Sequence, residues 1–458
     1  MENSSKFYEK FIQNNVSKSK KQNSKITPNF EKSRDKKIEI KKVEQNKNLK
    51  SDFSVNANNF SLENSLFSSE KIPTDAKKIL EDFDKIIQSV RPLNSRQIQQ
   101  LPENIKNLSH QLTDKRSERR LGYLNDNIQL SSYVRYYTWW NLVRLTKLFA
   151  NLPKESFPQN DQICLDVGTG PLTVITALWL ARPELRKLKL VWYCIDISAN
   201  SMIFGEDIYF STAAKTPQEN AWKIIRVKGA FGTQIKQKAD FITCANMLNE
   251  TDQNSQMPPE YQSKKYFQQF KNYGTQNAKW LFTEPGVPKA SRTLSLLRMR
   301  FLDEGKKISA PCSHSCDCPM NGFKAYTGSN HKWCNFAFLT DDAPIKLQKL
   351  SEKAKLPKER ATLSFLSVIS QENVQNSKEK QISKNEKTFF CRIVSDEFKV
   401  GTKKSYYACS ELGLTLLKLN SQSEKEKSLA SGDLIKVKIK TSDSLKKDEK
   451  SGAVIINI

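Results

Sequence analysis

The chain has 458 residues and a formal net charge of +25, from 74 Lys and Arg against 49 Asp and Glu. That length predicts two or three domains, and an apolar fraction of 38 % excludes a chain packed from end to end. The excess charge favours RNA or DNA as partner over an acidic membrane, and with no apolar run of about 18 residues no membrane span is expected.

Met1 to Lys25 lacks an apolar h-region and carries Glu2 and Glu9 without an arginine. It reads as neither a secretory leader nor a mitochondrial presequence, so a cytoplasmic location is expected. Residues 1–75 are rich in Lys, Asn, Ser and Gln without an apolar period, and are predicted to be disordered. The aromatics Phe53, Phe60 and Phe67 stand there as isolated docking points. Ile79, Phe83, Ile86, Ile87 and Val90 then form a helical stripe that Pro92 ends. A second helix is predicted over 129–151, with Tyr133, Tyr136, Tyr137, Trp140, Leu142 and Leu145 at helical spacing.

From Gln162 the pattern is strand, turn, helix, repeated. Strands are predicted at 163–167, 188–195, 224–227, 241–245 and 280–283, with a helix over 172–180. This alternation implies an α/β fold with a parallel, doubly wound, Rossmann-like sheet. A Cys-dense segment follows, then strand-like runs at 363–369, 389–394, 405–409, 415–418 and 434–439, with polar loops at 371–387 and 420–431. The expected division is a disordered segment (1–75), a helical element (76–155), the Rossmann-like core (156–305), a Cys-rich insertion (306–345) and a β-rich C-terminal part (346–458).

Asp166-Val167-Gly168-Thr169-Gly170 follows a strand and opens a helix. Glycines there let backbone approach a ligand, and the helix N-terminus attracts negative charge. The third glycine of a nicotinamide fingerprint is missing. The next strand ends in Asp196, placed to accept ribose hydroxyls. Two aspartates do not suit a pyrophosphate. They suit a cofactor with an ammonium and a ribose, as in S-adenosylmethionine. The chain here resembles the class I S-adenosylmethionine-dependent methyltransferases, through Asp166, Gly168, Gly170 and Asp196. That resemblance implies cofactor contacts from these residues and Thr169, with Lys228, Gly229, Ala230 and Phe231 near the adenine. Asn246 in Asn246-Met247-Leu248-Asn249-Glu250, and Glu284 in Glu284-Pro285-Gly286, follow the fourth and fifth strands and are expected to face the same pocket. No Asn-Pro-Pro-Tyr signature is present, so no catalytic base is assigned.

Nine cysteines without a secretion signal argue against disulfides. Cys164, Cys194 and Cys244 sit in apolar strands and read as core. Cys312, Cys316, Cys318 and Cys334 lie among Gly, Pro and Ser, and their thiolates suit an iron–sulfur cluster or zinc. Ala310-Pro311-Cys312 with His314, then Cys318-Pro319 and Trp333-Cys334, resembles the methyltransferase-like family of small-ribosomal-subunit assembly proteins. The likeness runs over about 120–418 and includes Arg392-Ile393-Val394. It implies a four-iron, four-sulfur cluster on Cys312, Cys318, Cys334 and a later-strand cysteine matched by Cys409. Cys316 stays a rival fourth ligand, and Cys391 reads as core. His314 and His331 are candidates for a mixed zinc site.

Arg116, Arg119, Arg120, Arg135, Arg144, Lys289, Arg292, Arg298 and Arg300, with Lys436, Lys438 and Lys440, are candidates to neutralise phosphates. The combined expectation is a monomeric protein that binds S-adenosylmethionine and an iron–sulfur cluster and acts on ribosomal RNA of the small subunit. Two alternatives stand beside it: an assembly factor without catalysis, and a zinc-stabilised methyltransferase acting on protein or a small molecule.

Overall fold

The computed structural model describes residues 60–113, 122–217, 220–251, 257–326, 329, 331–371, 386–420, 428–440 and 445–458. Strand β1 (Phe60–Ser65) comes first, followed by helices α1 (Thr74–Glu81), α2 (Phe83–Val90) and α3 (Ser95–Thr113). The predicted stripe is divided between α1 and α2, and it buries Ile79, Phe83, Ile86 and Ile87. Asp126 caps α4 (Asn127–Tyr133) by accepting the N–H groups of Ile128 and Gln129. A π-helical turn, Val134–Thr138, joins α4 to α5 (Trp139–Asn151). The indole of Trp139 donates to the Leu80 carbonyl at 2.9 Å, and that of Trp140 to the Ser351 hydroxyl at 3.0 Å. Both rings are buried, so the aromatic ridge anchors the N-terminal helices to the core instead of offering stacking surfaces.

The central sheet then builds in alternation: β2 (Ile163–Val167), α6 (Thr173–Ala181), β3 (Val191–Asp196), α7 (Ala199–Ala213), β4 (Lys223–Lys228), β5 (Ala239–Ala245), α8 (Pro259–Tyr273), β6 (Gly274–Glu284) and α9 (Pro288–Asp303). The strand order β4-β3-β2-β5-β6 is parallel throughout. It reverses direction between β2 and β5, where open α/β sheets form their ligand crevice. Burial on both faces explains the apolar runs read in the sequence. Trp192 and Cys194 point into one hydrophobic cluster, while Tyr193 and Ile195 point into the other. Cys164 and Cys244 are core, as expected.

Beyond α9 the chain adds β7 (Lys307–Ala310), β8 (Phe336–Leu339), α10 (Ile345–Lys353) and β9 (Arg360–Ile369). β9 runs antiparallel to β6, and β7 and β8 both pair with β9, so the Rossmann-like sheet extends to Ile369 and not to 305. The Cys-rich insertion lies between its edge strands. The second sheet contains β10 (Glu386–Ile393), β11 (Phe398–Val400), β12 (Lys403–Ser410), β13 (Gly413–Lys418), β14 (Asp433–Lys440) and β15 (Val454–Asn457). Its order is β1-β14-β10-β12-β13-β15, with β11 beside β12.

The boundary expected at residue 75 is therefore late. β1 pairs antiparallel with β14, and Phe67 stacks on Phe338 with ring centroids 4.5 Å apart. Phe60 and Phe67 pack in the fold and are not docking points. Phe53, Arg116, Arg119, Arg120 and most of the 371–387 and 420–431 loops lie outside the described residues. Among the described residues no helix is long and apolar enough to cross a membrane.

Candidate functional site

The glycine turn leaves β2 with Gly168 at φ 68° and Gly170 at φ 50°, conformations that favour glycine. A Cβ on Gly168 would lie 2.4 Å from Cγ of Met247. The N–H groups of Gly168 and Thr169 donate to the Ile195 carbonyl at 2.9 and 3.1 Å. Asp196 completes the tie, because its carboxylate accepts the Gly170 N–H at 2.8 Å and the Ser198 N–H at 2.8 Å. Each oxygen keeps a second lone pair for a ligand hydroxyl. Burial raises the Asp196 pKa, and the backbone N–H groups oppose that shift.

Asp166 lies fully buried beneath the turn. Its Oδ1 accepts the Thr243 hydroxyl at 2.6 Å, while Oδ2 is buried without a hydrogen-bond partner among the described residues. Burial pushes its pKa up to about 7, against the pull of the Thr243 hydroxyl. An unpartnered buried carboxylate oxygen is costly, and a cationic donor at this place would relieve it.

Glu284 has a different role from the one expected. Its Oε1 and Oε2 accept the N–H groups of Leu248 and Asn249 at 2.9 and 3.1 Å. Burial pushes it to about 8 despite those bonds. It shapes the loop after β5 from behind and does not line the pocket. Asn246, the first residue of that loop, adopts φ 58° and accepts the Arg144 guanidinium at 3.0 Å.

These elements surround a cavity of about 370 Å³ at the carboxyl ends of β2, β3 and β5. Its size falls within the range of small-molecule sites, roughly 300–1,000 Å³. Of the residues expected, Gly168, Gly170, Asp196 and Asn246 line it, with Gly229, Ala230 and Phe231. Asp166, Thr169 and Lys228 do not, and the Thr169 hydroxyl is buried without a partner among the described residues. The wall also holds Met247 and Glu250 of the segment expected there after β5, and Tyr123, Tyr133, Lys265 and Tyr266, which sequence reasoning did not place there. Tyr133 immediately precedes the π-helical turn, a distortion that often marks functional sites. Nothing in its helical spacing signals that distortion.

The cysteine segment centres on Arg298. This buried side chain donates from Nε to Cys312 Sγ at 3.1 Å and from Nη2 to the carbonyls of His314 and Cys316 at 3.0 and 2.8 Å. Burial works against its charge, but the surrounding Cys312, Cys318 and Cys409 thiols hold its pKa up. Burial, and after it the neighbouring thiols, push Cys318, Cys334 and Cys409 upward. His314 Nε2 lies 3.2 Å from Cys409 Sγ on β12. Arg392 of β10 donates to the Pro311 carbonyl at 2.9 Å, tying the insertion to the second sheet. Cys316 is exposed, and Cys391 is core. Four thiols thus share one electrostatic neighbourhood. Even so, no three His, Cys, Asp or Glu side chains among the described residues are arranged as a metal-binding group, and neither cluster nor zinc is shown.

Several expected phosphate contacts are engaged elsewhere. Arg135 is buried, donating to the Ser131 hydroxyl and the Arg91 carbonyl, and Arg298 is buried as described. Arg144 bonds Asn141, Asn246 and the Thr362 carbonyl. Arg292 pairs with Glu260 at 2.7 Å, and Arg300 donates to the Glu260 carbonyl at 2.9 Å. A long cation can be counted in a sequence, but which way it points depends on the tertiary fold.

A sequence profile described as "mitochondrial small ribosomal subunit Rsm22" matches residues 137–415, more than half of the chain. No curated protein matches significantly. Solved structures with a similar course include a class I S-adenosylmethionine-dependent methyltransferase from Listeria monocytogenes, at 10 % identity and TM-score 0.29, over 68 % of this chain and 92 % of that one. Another is an S-adenosylmethionine-dependent methyltransferase from Geobacter sulfurreducens in complex with S-adenosyl-L-homocysteine. It has 11 % identity and TM-score 0.28, over 51 % of this chain and 91 % of that one. A third is a ribosomal protein L11 methylase from Lactobacillus delbrueckii subsp. bulgaricus, at 12 % identity and TM-score 0.24, over 41 % of this chain and 75 % of that one.

Proposed function

The chain belongs to the mitochondrial small ribosomal subunit Rsm22 family, and from that premise we propose that it binds S-adenosylmethionine and acts on small-subunit ribosomal RNA. The observation that carries the reading is the cavity at the β2/β5 reversal, with the glycine turn and Asp196 in its wall and the unpartnered Asp166 carboxylate beneath it. In this reading Gly168, Thr169 and Gly170 give close backbone approach, and Asp166 attracts the cofactor ammonium through the turn. Asp196 accepts ribose hydroxyls, and Gly229, Ala230 and Phe231 flank the adenine. Asn246, held by Arg144, presents a polar amide to the reacting end. The cofactor supplies an electrophilic methyl, so the chain's own contribution is to orient it and exclude water.

The cysteine set is read as a four-iron, four-sulfur site on Cys312, Cys318, Cys334 and Cys409, with zinc as the alternative. The shared neighbourhood of these thiols around Arg298, and the exposure of Cys316, support Cys409 as fourth ligand. The family description places its members in mitochondria, and we read this chain's location the same way, in place of the cytoplasm. A second reading is an assembly factor that clamps RNA without methyl transfer: no catalytic base is assigned in the pocket, and the Asp196 carboxylate already serves the chain's own Gly170 and Ser198 N–H groups.

The test incubates purified protein and immature small subunits with methyl-labelled cofactor and then digests the RNA. Label confined to one nucleotide and abolished by Asp166→Asn supports methyl transfer. Tight subunit binding without label supports the clamp, and the absence of both label and binding would overturn the reading.

A further inference from the structure

One exposed face runs from the Cys-rich insertion across α9 and α8 to the rim of the cofactor cavity, and its side chains hold neither the glycine turn nor the cysteine thiols. On α8, Tyr261, Lys264 and Lys265 occupy one stripe, at i, i+3 and i+4, and all three are exposed. Tyr261 is 68 % exposed, far more than a phenol ring needs for solubility. Neither lysine forms an ion pair with any described residue. The stripe lines a shallow depression of about 430 Å³, and Lys265 lines both this depression and the cofactor cavity. At the same N-terminal end of the helix, directly before Tyr261 and one turn before Lys264, Glu260 pairs with Arg292 of α9. The Arg292 guanidinium lies 5.3 Å from the ring centre of Phe323, which is 54 % exposed, and Lys324 stands 5.4 Å from the same ring. Glu260 is the one acidic side chain in this chain of contacts, and its charge is matched by Arg292.

We propose that this face, from Phe323 and Lys324 across Arg292 to Tyr261, Lys264 and Lys265, is a track for single-stranded RNA that ends at the cofactor cavity. Exposed rings interleaved with cations are what unpaired nucleotides require: each base stacks on a ring and each phosphate meets a cation. An acidic peptide would use the cations but would leave both exposed rings unused. A base held beyond Lys265 would be delivered toward the Asn246 side of the cavity. This placement rests on the proposed cofactor reading, whereas the track itself does not.

The test titrates the full-length chain with a fluorescent single-stranded RNA 12-mer, at several salt concentrations. Tyr261→Ala and Phe323→Ala are expected to weaken binding roughly tenfold each, and Lys264→Ala to reduce the salt slope by about 0.7. All three side chains are exposed, so the melting temperature and S-adenosylhomocysteine binding are expected to stay at wild-type values. An oligonucleotide with abasic sites is expected to bring the wild type down to the level of Tyr261→Ala. The track is overturned if both ring variants bind RNA like the wild type. It is also overturned if polyglutamate displaces the RNA as well as unlabelled RNA does, which would make the face a dock for acidic protein. Should wild-type protein fail to bind S-adenosylhomocysteine, the cofactor reading falls while the RNA arms still decide the track.

Discussion

Gly205 lies in the middle of α7, where helix propensity alone says that alanine is better by about 1 kcal/mol. The packing says the reverse. A Cβ there would stand 2.2 Å from the carbonyl carbon of Pro171 and 2.5 Å from its Cα and O. Ordinary contact between such atoms begins near 3.5 Å, so the helix lies more than ~1 Å too close for alanine. The neighbour is backbone and cannot rotate away. It is also fixed on both sides, by the Gly170 N–H on Asp196 and by the Leu172 N–H on the Thr169 carbonyl. Overpacking of this kind costs about 1–3 kcal/mol, and more where nothing yields. Because the obstacle is backbone, the upper end applies, and about 2 kcal/mol remains after the propensity gain. Gly205→Ala is therefore expected to lower Tm by roughly 4–8 °C in a thermal melt. As the turn is pushed toward the cavity, S-adenosylhomocysteine affinity measured by calorimetry falls with it. A variant with unchanged or higher Tm would show that α7 does not press on the glycine turn, and the close approach argued here would be wrong.

Other expected outcomes rest on separate observations. The folded-state pKa of Asp166, about 7, lies above its unfolded value near 3.9, so its contribution to stability is present below pH ~4 and lost as pH rises through 7. Asp166→Asn should make the fall of Tm between pH 4 and 7 shallower and leave the parts due to Asp196, whose pKa is raised, and Glu284, whose pKa is raised to about 8; parallel curves would refute this. Affinity for S-adenosylhomocysteine should rise from pH 6 to 8 in the wild type as Asp166 ionises, but not in that variant. Arg298→Met strands three acceptors of the cysteine segment and should cost about 3 kcal/mol, seen as a lower Tm and faster proteolysis within 312–334; an unchanged digest would show that the segment holds itself. The iron–sulfur reading proposed above expects anaerobically purified protein to be brown and to carry iron, Cys409→Ser to lose both and Cys316→Ser to keep them; the opposite pattern would make Cys316 the ligand, and colourless wild-type protein without iron would refute the cluster.

What was legible in the sequence depended on how local its cause was. β2, β3, β5 and β6 could be read because strands buried on both faces are contiguous apolar runs, β4 because Ile224, Ile225 and Val227 still mark the edge strand, and the glycine turn because its geometry requires its residues. β9 was legible as a strand, but not as a member of the first sheet, since its pairing with β6 joins residues far apart in the chain. β1 was hidden in a Lys- and Asn-rich context, and only its partner β14 gives it a reason to form. α3 carries Pro102 in its interior, which reads locally as a break, although Leu101, Ile105 and Leu108 keep the buried face. Arg135 and Arg298 were misplaced on the surface for a related reason: composition counts charges, and only the packed structure shows which are turned inward. In the site, Glu284 was found near the pocket, but its role as a brace appeared only with the two N–H groups it accepts.

The pairing of β1 with β14 also constrains how the protein comes to be made. The second sheet joins Phe60–Ser65 to strands encoded some 370 residues later, so it cannot close until β14 has left the ribosome. Until then β10 lacks its β14 partner and presents an open edge beside the strand that carries Cys409. A prematurely terminated chain would contain every strand of the Rossmann-like sheet and still lack the second one. The setting of the cysteine segment is in this way coupled to the synthesis of β14, which a pulse-labelled translation of messages truncated before and after residues 433–440 can follow through the protease resistance of residues 306–345.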